Sequence, residues 1–141
     1  MDLADAIEFA RRRTEGVLVT RRRDGGAQLS NILYATDADG TFRISATDAR
    51  AKTRNIRRDP GASLYVPGSS FWSFVVLDGR AEISEVASSA HDHVVEELVE
   101  LYRTISGKEH PDWEEYRRVM VEERRVIVRL RPDHAYGIMH D

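Results

Sequence analysis

The spacing of apolar residues predicts a chain that begins with a helix and continues in short strands. Residues 2–13 place apolar side chains at helical spacing, whereas residues 16–20 are apolar and β-branched, as is typical of a strand. Two glycine-containing turn signals separate this strand from two more, over residues 28–36 and 41–46. Strands joined in sequence by tight turns predict an antiparallel meander.

The sequence returns to strand character after a short basic segment. Residues 62–66 and 71–84 are predicted strands on either side of a turn at Pro67 and Gly68. Gly79 interrupts the longer of these strands and predicts a β-bulge. The sheet is therefore expected to contain at least five strands.

Two predicted helices and one further strand follow. The first helix is expected to be capped by Ser88 or Ser89, and the second spans residues 112–122. Residues 124–130 alternate as a strand, which Pro132 is expected to end. Strands outnumber helices, so we expect a mainly β (α+β) fold: a small β-barrel with peripheral helices and not a Rossmann-like fold.

Length and composition narrow the class of protein. A chain of 141 residues suits one domain that spans residues 1–141. The chain contains no cysteine, which excludes disulfides and thiolate chemistry and permits a reducing compartment. No apolar run approaches the roughly 18 residues that a membrane-spanning helix needs, and residues 1–13 lack the apolar core of a secretory signal. We therefore expect a cytoplasmic protein without an integral membrane segment.

Charge is distributed unevenly along the chain. Residues 1–58 contain twelve Lys and Arg against eight Asp and Glu, whereas residues 59–141 contain nine against sixteen, and the whole chain has a net charge of −3. Basic character that is local and not general argues against a nucleic-acid-binding protein. It favours a focused pocket for a small anion.

The densest basic segment, residues 50–59, follows a predicted strand and is itself predicted to be helical. If Thr47 or Asp48 is the N-cap, the free backbone N–H groups of the first turn point towards the end of that strand. Arg50 and Lys52 would add formal charge to the positive end of the helix dipole. A phosphate-bearing ligand is the first hypothesis for this junction.

Helical periodicity divides this basic segment into two sets. At 100° per residue, Arg50, Arg54, Arg57 and Arg58 cluster on one side, and Lys52 falls nearly opposite. We therefore expect the two sets to have different roles, with Lys52 the first choice as an anion ligand. A solvated charged face remains the alternative for Arg57 and Arg58.

Several motifs in this order resemble one protein family over nearly the whole chain. They are a Gly-Val-Leu-Val-Thr strand at residues 16–20, an Asp-Gly-Gly turn at residues 24–26, Gln28-Leu29-Ser30-Asn31, Ala51-Lys52-Thr53-Arg54-Asn55, Trp72 and Asp78-Gly79-Arg80-Ala81. Together they resemble the split β-barrel, FMN-binding-protein-like relatives of pyridoxamine-phosphate oxidase. Residues 51–55 are the most specific part, and they are most similar to the actinobacterial branch that uses the deazaflavin coenzyme F420.

This resemblance implies a homodimer with two equivalent coenzyme sites at the subunit interface. It also assigns seven residues to coenzyme binding: Lys52 and Arg50 for the phosphate and acidic tail, Ser45 and Thr53 as donors, Gln28 and Asn31 beside the ring or its polyol, and Trp72 across the dimer. The implied reaction is hydride transfer from reduced F420 to a small electron-poor acceptor of the quinone, enone or tetrapyrrole type. The alternatives are a protein that carries F420 or FMN without turnover and an FMN-dependent oxidase-like relative.

The residues themselves qualify this assignment. Strand alternation places Gln28 and Ser30 on one face and Asn31 on the other, so all three cannot line one pocket unless a bulge intervenes. Trp72 is equally well explained as a core or interface aromatic residue.

His91 and His93 point in divergent directions on a helix, so no metal site is expected. No catalytic side-chain constellation can be identified, and a hydride-transfer site does not require one.

Substrate choice is expected to depend on two segments whose shape the sequence does not fix. One is the loop at residues 67–71, and the other is the C-terminal segment at residues 137–141.

Overall fold

The computed structural model describes residues 1–140; Asp141, the last residue of the C-terminal segment named above, lies outside this range. The strands within it are β1 (Glu15–Arg21), β2 (Ala27–Leu33), β3 (Ala35–Thr36), β4 (Phe42–Thr47), β5 (Gly61–Pro67), β6 (Phe74–Ile83) and β7 (Arg125–Ile138). The helices are α1 (Leu3–Arg11), α2 (Ala51–Arg58), α3 (His93–Ser106) and α4 (Trp113–Glu122). None of the helices within residues 1–140 is long and apolar enough to cross a membrane.

The strands form one antiparallel sheet in the order β2-β1-β5-β6-β7-β4-β3. Both hairpins of the predicted meander are present, because β1 pairs with β2 and β3 pairs with β4, but the two hairpins lie at opposite edges of the sheet and not side by side. The predicted strand over residues 28–36 is in fact two strands, β2 and β3, which occupy the two edges and are separated in sequence by Tyr34 alone. Local turn signals predict hairpins, but they carry no information on which strand a hairpin pairs with next.

Tyr34 explains why the sheet curls into a barrel. Its side chain is fully buried, its amide donates to the Thr14 carbonyl at 2.8 Å, and its hydroxyl donates to the Ala10 carbonyl at 2.7 Å. Because one residue joins the two edge strands, the edges must lie close together, which a flat sheet of this width would not allow. The expected split β-barrel with peripheral helices is confirmed.

The hydrophobic core has two parts. The larger part fills the barrel, and α1 packs against it. Its fully buried side chains include Phe9, Tyr34, Phe42 and Leu64. The smaller packs α3 and α4 against the outside of the barrel around Ile127 of β7. The second cluster fixes the helices beside the strand that carries part of the candidate site.

β7 continues through Pro132 to Ile138, so the predicted end of this strand is wrong. The predicted bulge at Gly79 is confirmed, and it is the reason Pro132 is accommodated: the register between β6 and β7 shifts there, with Gly79 opposite Pro132. A Cβ atom on Gly79 would lie 2.1 Å from the Arg131 carbonyl oxygen. Only glycine allows the two backbones to approach this closely.

The N-cap of α3 is Asp92, so the prediction of Ser88 or Ser89 is wrong. The Asp92 carboxylate accepts hydrogen bonds from the amides of Ser88 at 2.8 Å, Ser89 at 3.1 Å and Val95 at 2.8 Å. Burial raises the pKa of Asp92, but these hydrogen bonds outweigh burial and lower it to about 2. The two serines therefore support the capping residue, and the carboxylate satisfies the helix end.

Candidate functional site

The junction between β4 and α2 is built differently from the prediction. Arg50 is the N-cap of α2, without a side-chain capping bond, so the proposed caps Thr47 and Asp48 are wrong. The Thr47 carbonyl instead accepts the Thr53 hydroxyl at 2.8 Å, and the Asp48 carboxylate pairs with Arg57 at 2.7 Å. The first turn of the helix thus keeps backbone N–H groups that no side chain caps.

A cavity of about 600 Å³ lies beside this first turn. We call it the Lys52 cavity. One part of its lining is polar and contains two cations and one carboxylate, with Thr14, Glu15, Asn31, Ser45, Lys52 and Arg125; another part is apolar or aromatic and comes from α3 and α4, with Leu101, Tyr102, Ile105, Tyr116 and Met120. Such a cavity suits a ligand that carries an anionic group and a flat apolar portion.

Lys52 is the distinctive cation of this cavity. Its side chain is half-buried, and within residues 1–140 it forms no hydrogen bond or ion pair. Burial lowers the pKa of Lys52, and the positive charges of Arg50 and Arg125 lower it further. A partly desolvated ammonium group without a counter-ion is poised to bind an anion, which would compensate both effects.

Arg125 is oriented towards the same cavity by its neighbours. Its Nε atom donates to Glu123 at 2.9 Å, and its Nη1 atom lies 3.5 Å from the Ser45 hydroxyl. The sequence placed Arg125 in a strand but gave no reason to assign it to the site, because β4 and β7 are distant in sequence and pair side by side. Only the sheet topology brings Arg125 to Ser45 and Lys52.

The apolar wall of the cavity is supported by an aromatic cluster. Tyr102, His110, Trp113 and Tyr116 have ring centroids 5.2 to 5.6 Å apart. The Tyr116 hydroxyl donates to the Leu98 carbonyl at 3.0 Å, and burial raises the pKa of Tyr116 to about 12. The sequence predicted the two helices but not this cluster, which forms where α3 and α4 pack together.

A second, smaller cavity lies on another face of α2. It has a volume of about 330 Å³, and we call it the Arg54 groove; its lining residues are Arg22, Arg23, Gln28, Ala51, Arg54, Asn55 and Arg58. Lys52 and Arg54 therefore line different cavities, as the helical periodicity predicted. Arg57 belongs to neither, because it is bound to Asp48.

Three of the seven residues assigned from the family resemblance, Asn31, Ser45 and Lys52, line the Lys52 cavity together. Arg50 lies close enough to Lys52 to lower its pKa but does not line the cavity. Thr53 is fully buried, and its hydroxyl is used within the chain by the bond to Thr47.

The other two lie elsewhere. Gln28 lines the Arg54 groove, on the side of α2 away from the Lys52 cavity. Trp72 is 68% exposed in the turn between β5 and β6, in edge contact with Phe71 at 4.8 Å between ring centroids. Neither side chain lines the cavity beside Lys52.

An apolar face covers the outside of the sheet next to the Lys52 cavity. Strand register aligns Asn31, Val17, Tyr65, Val76 and Tyr136 in one row across five strands. Leu29 and Leu33, which flank this row on β2, are 61% and 53% exposed. Asn31 thus belongs both to the cavity and to the edge of a sheet face on which Leu29, Leu33 and Tyr136 are exposed, whereas Val76 is buried.

Comparisons with known proteins agree with this architecture. Residues 4–138 match the family described as pyridoxamine 5'-phosphate oxidase. A conserved hypothetical protein from Mycobacterium tuberculosis superimposes with a TM-score of 0.75 at 23% identity, over 99% of this chain and 86% of that one.

Two further structures carry functional descriptions of their own. One described as an F420 reductase has a TM-score of 0.66 at 23% identity, over 92% of this chain and 94% of that one. The heme storage protein HutZ from Vibrio cholerae has a TM-score of 0.67 at 14% identity, over 96% of this chain and 93% of that one. At these identities the likeness shows a shared fold.

Proposed function

The chain belongs to the pyridoxamine 5'-phosphate oxidase family, and on that premise we propose that it binds the deazaflavin coenzyme F420 and uses it to reduce an electron-poor organic acceptor. The observation that carries this proposal is Lys52, a half-buried cation without an ion pair among the described residues, in a cavity with an apolar wall. F420 joins a phosphate and an acidic tail to a flat ring. The two kinds of lining match these two parts of the coenzyme.

The protein residues would act by binding, orienting and shielding. Lys52 and Arg125 would bind the phosphate, while the Ser45 hydroxyl and the Asn31 amide would donate to the polyol or ring. The Tyr102 and Tyr116 wall would exclude water from the reacting face. When bound in its reduced form, the coenzyme supplies a hydride, so the protein needs no nucleophile or metal of its own for that transfer.

Charge favours F420 over FMN in this proposal. Both ligands carry a phosphate, but the glutamate tail gives F420 additional negative charge. Around α2 the chain offers Arg50, Lys52 and Arg54, none of which pairs with a carboxylate among the described residues, so the ligand with more charge gains more.

The active form in this proposal is a homodimer whose apolar faces meet. Leu29 and Leu33 would become buried, and the adjacent Asn31 would place the Lys52 cavity at the interface. Trp72 and Phe71, the latter 84% exposed, would then reach the partner. A Leu29→Asp variant should sediment as a monomer and bind coenzyme more weakly, whereas wild-type protein that sediments as a monomer would contradict this arrangement.

The test begins with binding. Trp113 contacts the two tyrosines of the wall, so its fluorescence should be quenched by F420 and less by FMN at equal concentration. Tight FMN binding without a response to F420 would reject the assignment.

Turnover separates an enzyme from a carrier. Reduced F420 should be mixed with the protein and a panel of quinones, enones and tetrapyrroles, and its reoxidation followed against a protein-free control. Reoxidation that depends on the protein supports a reductase. Tight binding without turnover across the panel would favour the carrier.

A further inference from the structure

Lysine is rare in this chain, and one of its two lysines lines the Lys52 cavity. Of the 21 Lys and Arg residues, all are arginines except Lys52 and Lys108. An arginine would bind an anion at least as well, through several N–H groups, but its guanidinium does not lose its proton in proteins. A lysine differs in one chemical respect, because its neutral amine is a nucleophile.

The charges around Lys52 favour the neutral amine. Its side chain is half-buried, and burial lowers its pKa. Arg50 of the same helix and Arg125 of β7 act in the same direction, since both are positive. Glu15 of β1 is the one carboxylate among the described residues of the lining, but it is exposed and forms no ion pair with Lys52. No counter-charge within residues 1–140 therefore holds the proton on Lys52.

The polar groups of the lining are engaged elsewhere. The Tyr116 hydroxyl donates to the Leu98 carbonyl at 3.0 Å, and burial raises the pKa of Tyr116 to about 12, so this residue is not a phenolate near neutral pH. The Ser45 hydroxyl lies 3.5 Å from Arg125 Nη1. Tyr102 contacts its neighbours through its ring. The Lys52 amine is therefore open to a ligand in the cavity.

The cavity has room beside this amine for a small carbonyl compound. Its volume of about 600 Å³ is typical of small-molecule sites. Arg125 donates through Nε to Glu123 and keeps further N–H groups, which suit a carboxylate or phosphate on the same compound. Leu101, Ile105 and Met120 would contact its apolar portion and reduce the access of water to a new bond at Nζ.

We propose that Lys52 is a nucleophilic amine that captures, as imines, aldehydes that carry a carboxylate or phosphate. The neutral Nζ attacks the carbonyl carbon to give a carbinolamine, which loses water and leaves a C=N bond at Nζ. The two amine protons and the carbonyl oxygen leave together as that water, and nothing is oxidised or reduced. Arg125 binds the anionic group. This activity belongs to the protein without coenzyme and does not depend on the proposed function.

The probe is 4-carboxybenzaldehyde, which joins a carboxylate to an aromatic aldehyde. Coenzyme-free protein is incubated with the probe at neutral pH, sodium borohydride reduces any imine to a stable amine, and peptide mass spectrometry measures the modified fraction at each lysine. Lys108 is exposed and is the internal control. We expect Lys52 to be modified about tenfold faster than Lys108. Equal or slower modification of Lys52 would overturn the proposal.

The pH profile gives a second readout. Modification of Lys52 should reach its plateau at a lower pH than modification of Lys108, because only the neutral amine reacts. Coinciding profiles would show that Lys52 reacts as an ordinary exposed lysine, and the proposal would be wrong.

Benzaldehyde tests the role of the anionic group, since it lacks the carboxylate. The ratio of Lys52 to Lys108 modification should be about fivefold lower with benzaldehyde than with 4-carboxybenzaldehyde. An equal ratio for the two aldehydes would overturn the proposed substrate class.

Two variants separate a nucleophile from a positive charge. Lys52→Arg keeps the charge but cannot form an imine, so the adduct should disappear while F420 binding is retained. Lys52→Met should lose both. Modification of Lys108 should be the same in both variants as in wild type. Total adduct equal to that of wild type in Lys52→Met would place the reaction at another amine and contradict the proposal.

Protection by F420 distinguishes this proposal from the proposed function. If F420 prevents modification of Lys52 and not of Lys108, both stand. If Lys52 is modified selectively whether or not F420 is present, the phosphate assignment fails and the nucleophile stands. If F420 binding depends on Lys52 but Lys52 is modified no faster than Lys108, the nucleophile fails and the proposed function stands.

Discussion

Lys52 and Arg54 are two residues apart in α2, yet they lie in opposite kinds of surroundings. Lys52 is half-buried against an apolar wall, and its pKa is lowered by burial and by neighbouring arginines. Arg54 is exposed in a groove where a buried network holds Arg58. A half-buried lysine can recognise one phosphate with pH dependence, whereas exposed arginines add weaker, salt-dependent attraction.

The largest expected effect is the loss of Lys52 itself. Lys52→Ala should weaken F420 binding by about 1 to 3 kcal/mol, because it removes a charge-assisted bond to phosphate from a partly desolvated site. The melting temperature should not fall, because the lysine has no partner among residues 1–140. Unchanged affinity would show that Lys52 is a solvated residue that does not bind the coenzyme, and that it does not differ from Arg54 in this respect.

The pH dependence of binding should sharpen the contrast. Lys52 loses its proton at a lower pH than a free lysine does, and a bound anion should raise its pKa again. F420 affinity should therefore fall as the pH rises through the lowered pKa, and binding should take up protons. Calorimetry in buffers of different ionisation enthalpy measures this uptake, which Lys52→Met should abolish and Arg54→Ala should retain.

The same pKa shift makes a prediction about stability. A lysine with a lowered pKa in the folded state binds its proton more tightly in the unfolded state. Its destabilising effect is complete below the folded pKa and disappears as the pH rises to the unfolded value. Lys52→Met should therefore melt at a higher temperature than wild type at neutral pH, and at the same temperature in strong alkali. A lower melting temperature at pH 7 would show that the ammonium is stabilised in the fold.

Thr53 tests whether a residue between the two cations has a structural role. Thr53→Val should lower the free energy of unfolding by about 1 kcal/mol, because the buried hydroxyl bond to Thr47 is lost. F420 affinity should change by less than about twofold, since the hydroxyl is already used within the chain. Urea denaturation and fluorescence titration measure the two quantities. Lost affinity at unchanged stability would instead place Thr53 against the ligand.

Arg57 is expected to give the smallest effect of the set. It belongs to the basic helix but pairs with Asp48, and the Arg57 side chain is 42% exposed. Arg57→Ala should leave F420 affinity unchanged and lower the melting temperature only slightly. A loss of F420 affinity equal to that of Lys52→Ala would place Arg57 against the ligand.

The sequence predicted what depends on neighbouring residues. Turn chemistry and periodicity located the hairpins, the bulge at Gly79 and the separation of Lys52 from Arg54. Prediction from the sequence failed where contacts between distant segments determine the structure. Pro132 remains in β7 because Gly79 on β6 makes room for it, and Arg125 enters the site because β7 pairs with β4.

The placement of the residues that were predicted to bind the coenzyme shows the same limit. Strand alternation separated Gln28 from Asn31, but only the packing of α2 against β1 and β2 shows that they line different cavities. The predicted helix caps were wrong for a related reason: Asp92, and not Ser88 or Ser89, lies at the N-terminus of α3 as its N-cap. Capping depends on the direction in which the chain enters the helix, which residue preference does not specify.

The helices α3 and α4 both lie in the connection between β6 and β7, two strands that are hydrogen-bonded neighbours in the barrel. The apolar wall of the Lys52 cavity is therefore an insertion between two paired strands, and the barrel's hydrogen-bonded frame does not pass through it. Changes in the length or sequence of this insertion can reshape the cavity while Ser45 and Lys52 keep their positions. Because the insertion and the barrel are separate in this way, ligand specificity could change in evolution without a change in the barrel. The insertion is therefore the segment to exchange when a different specificity is to be engineered.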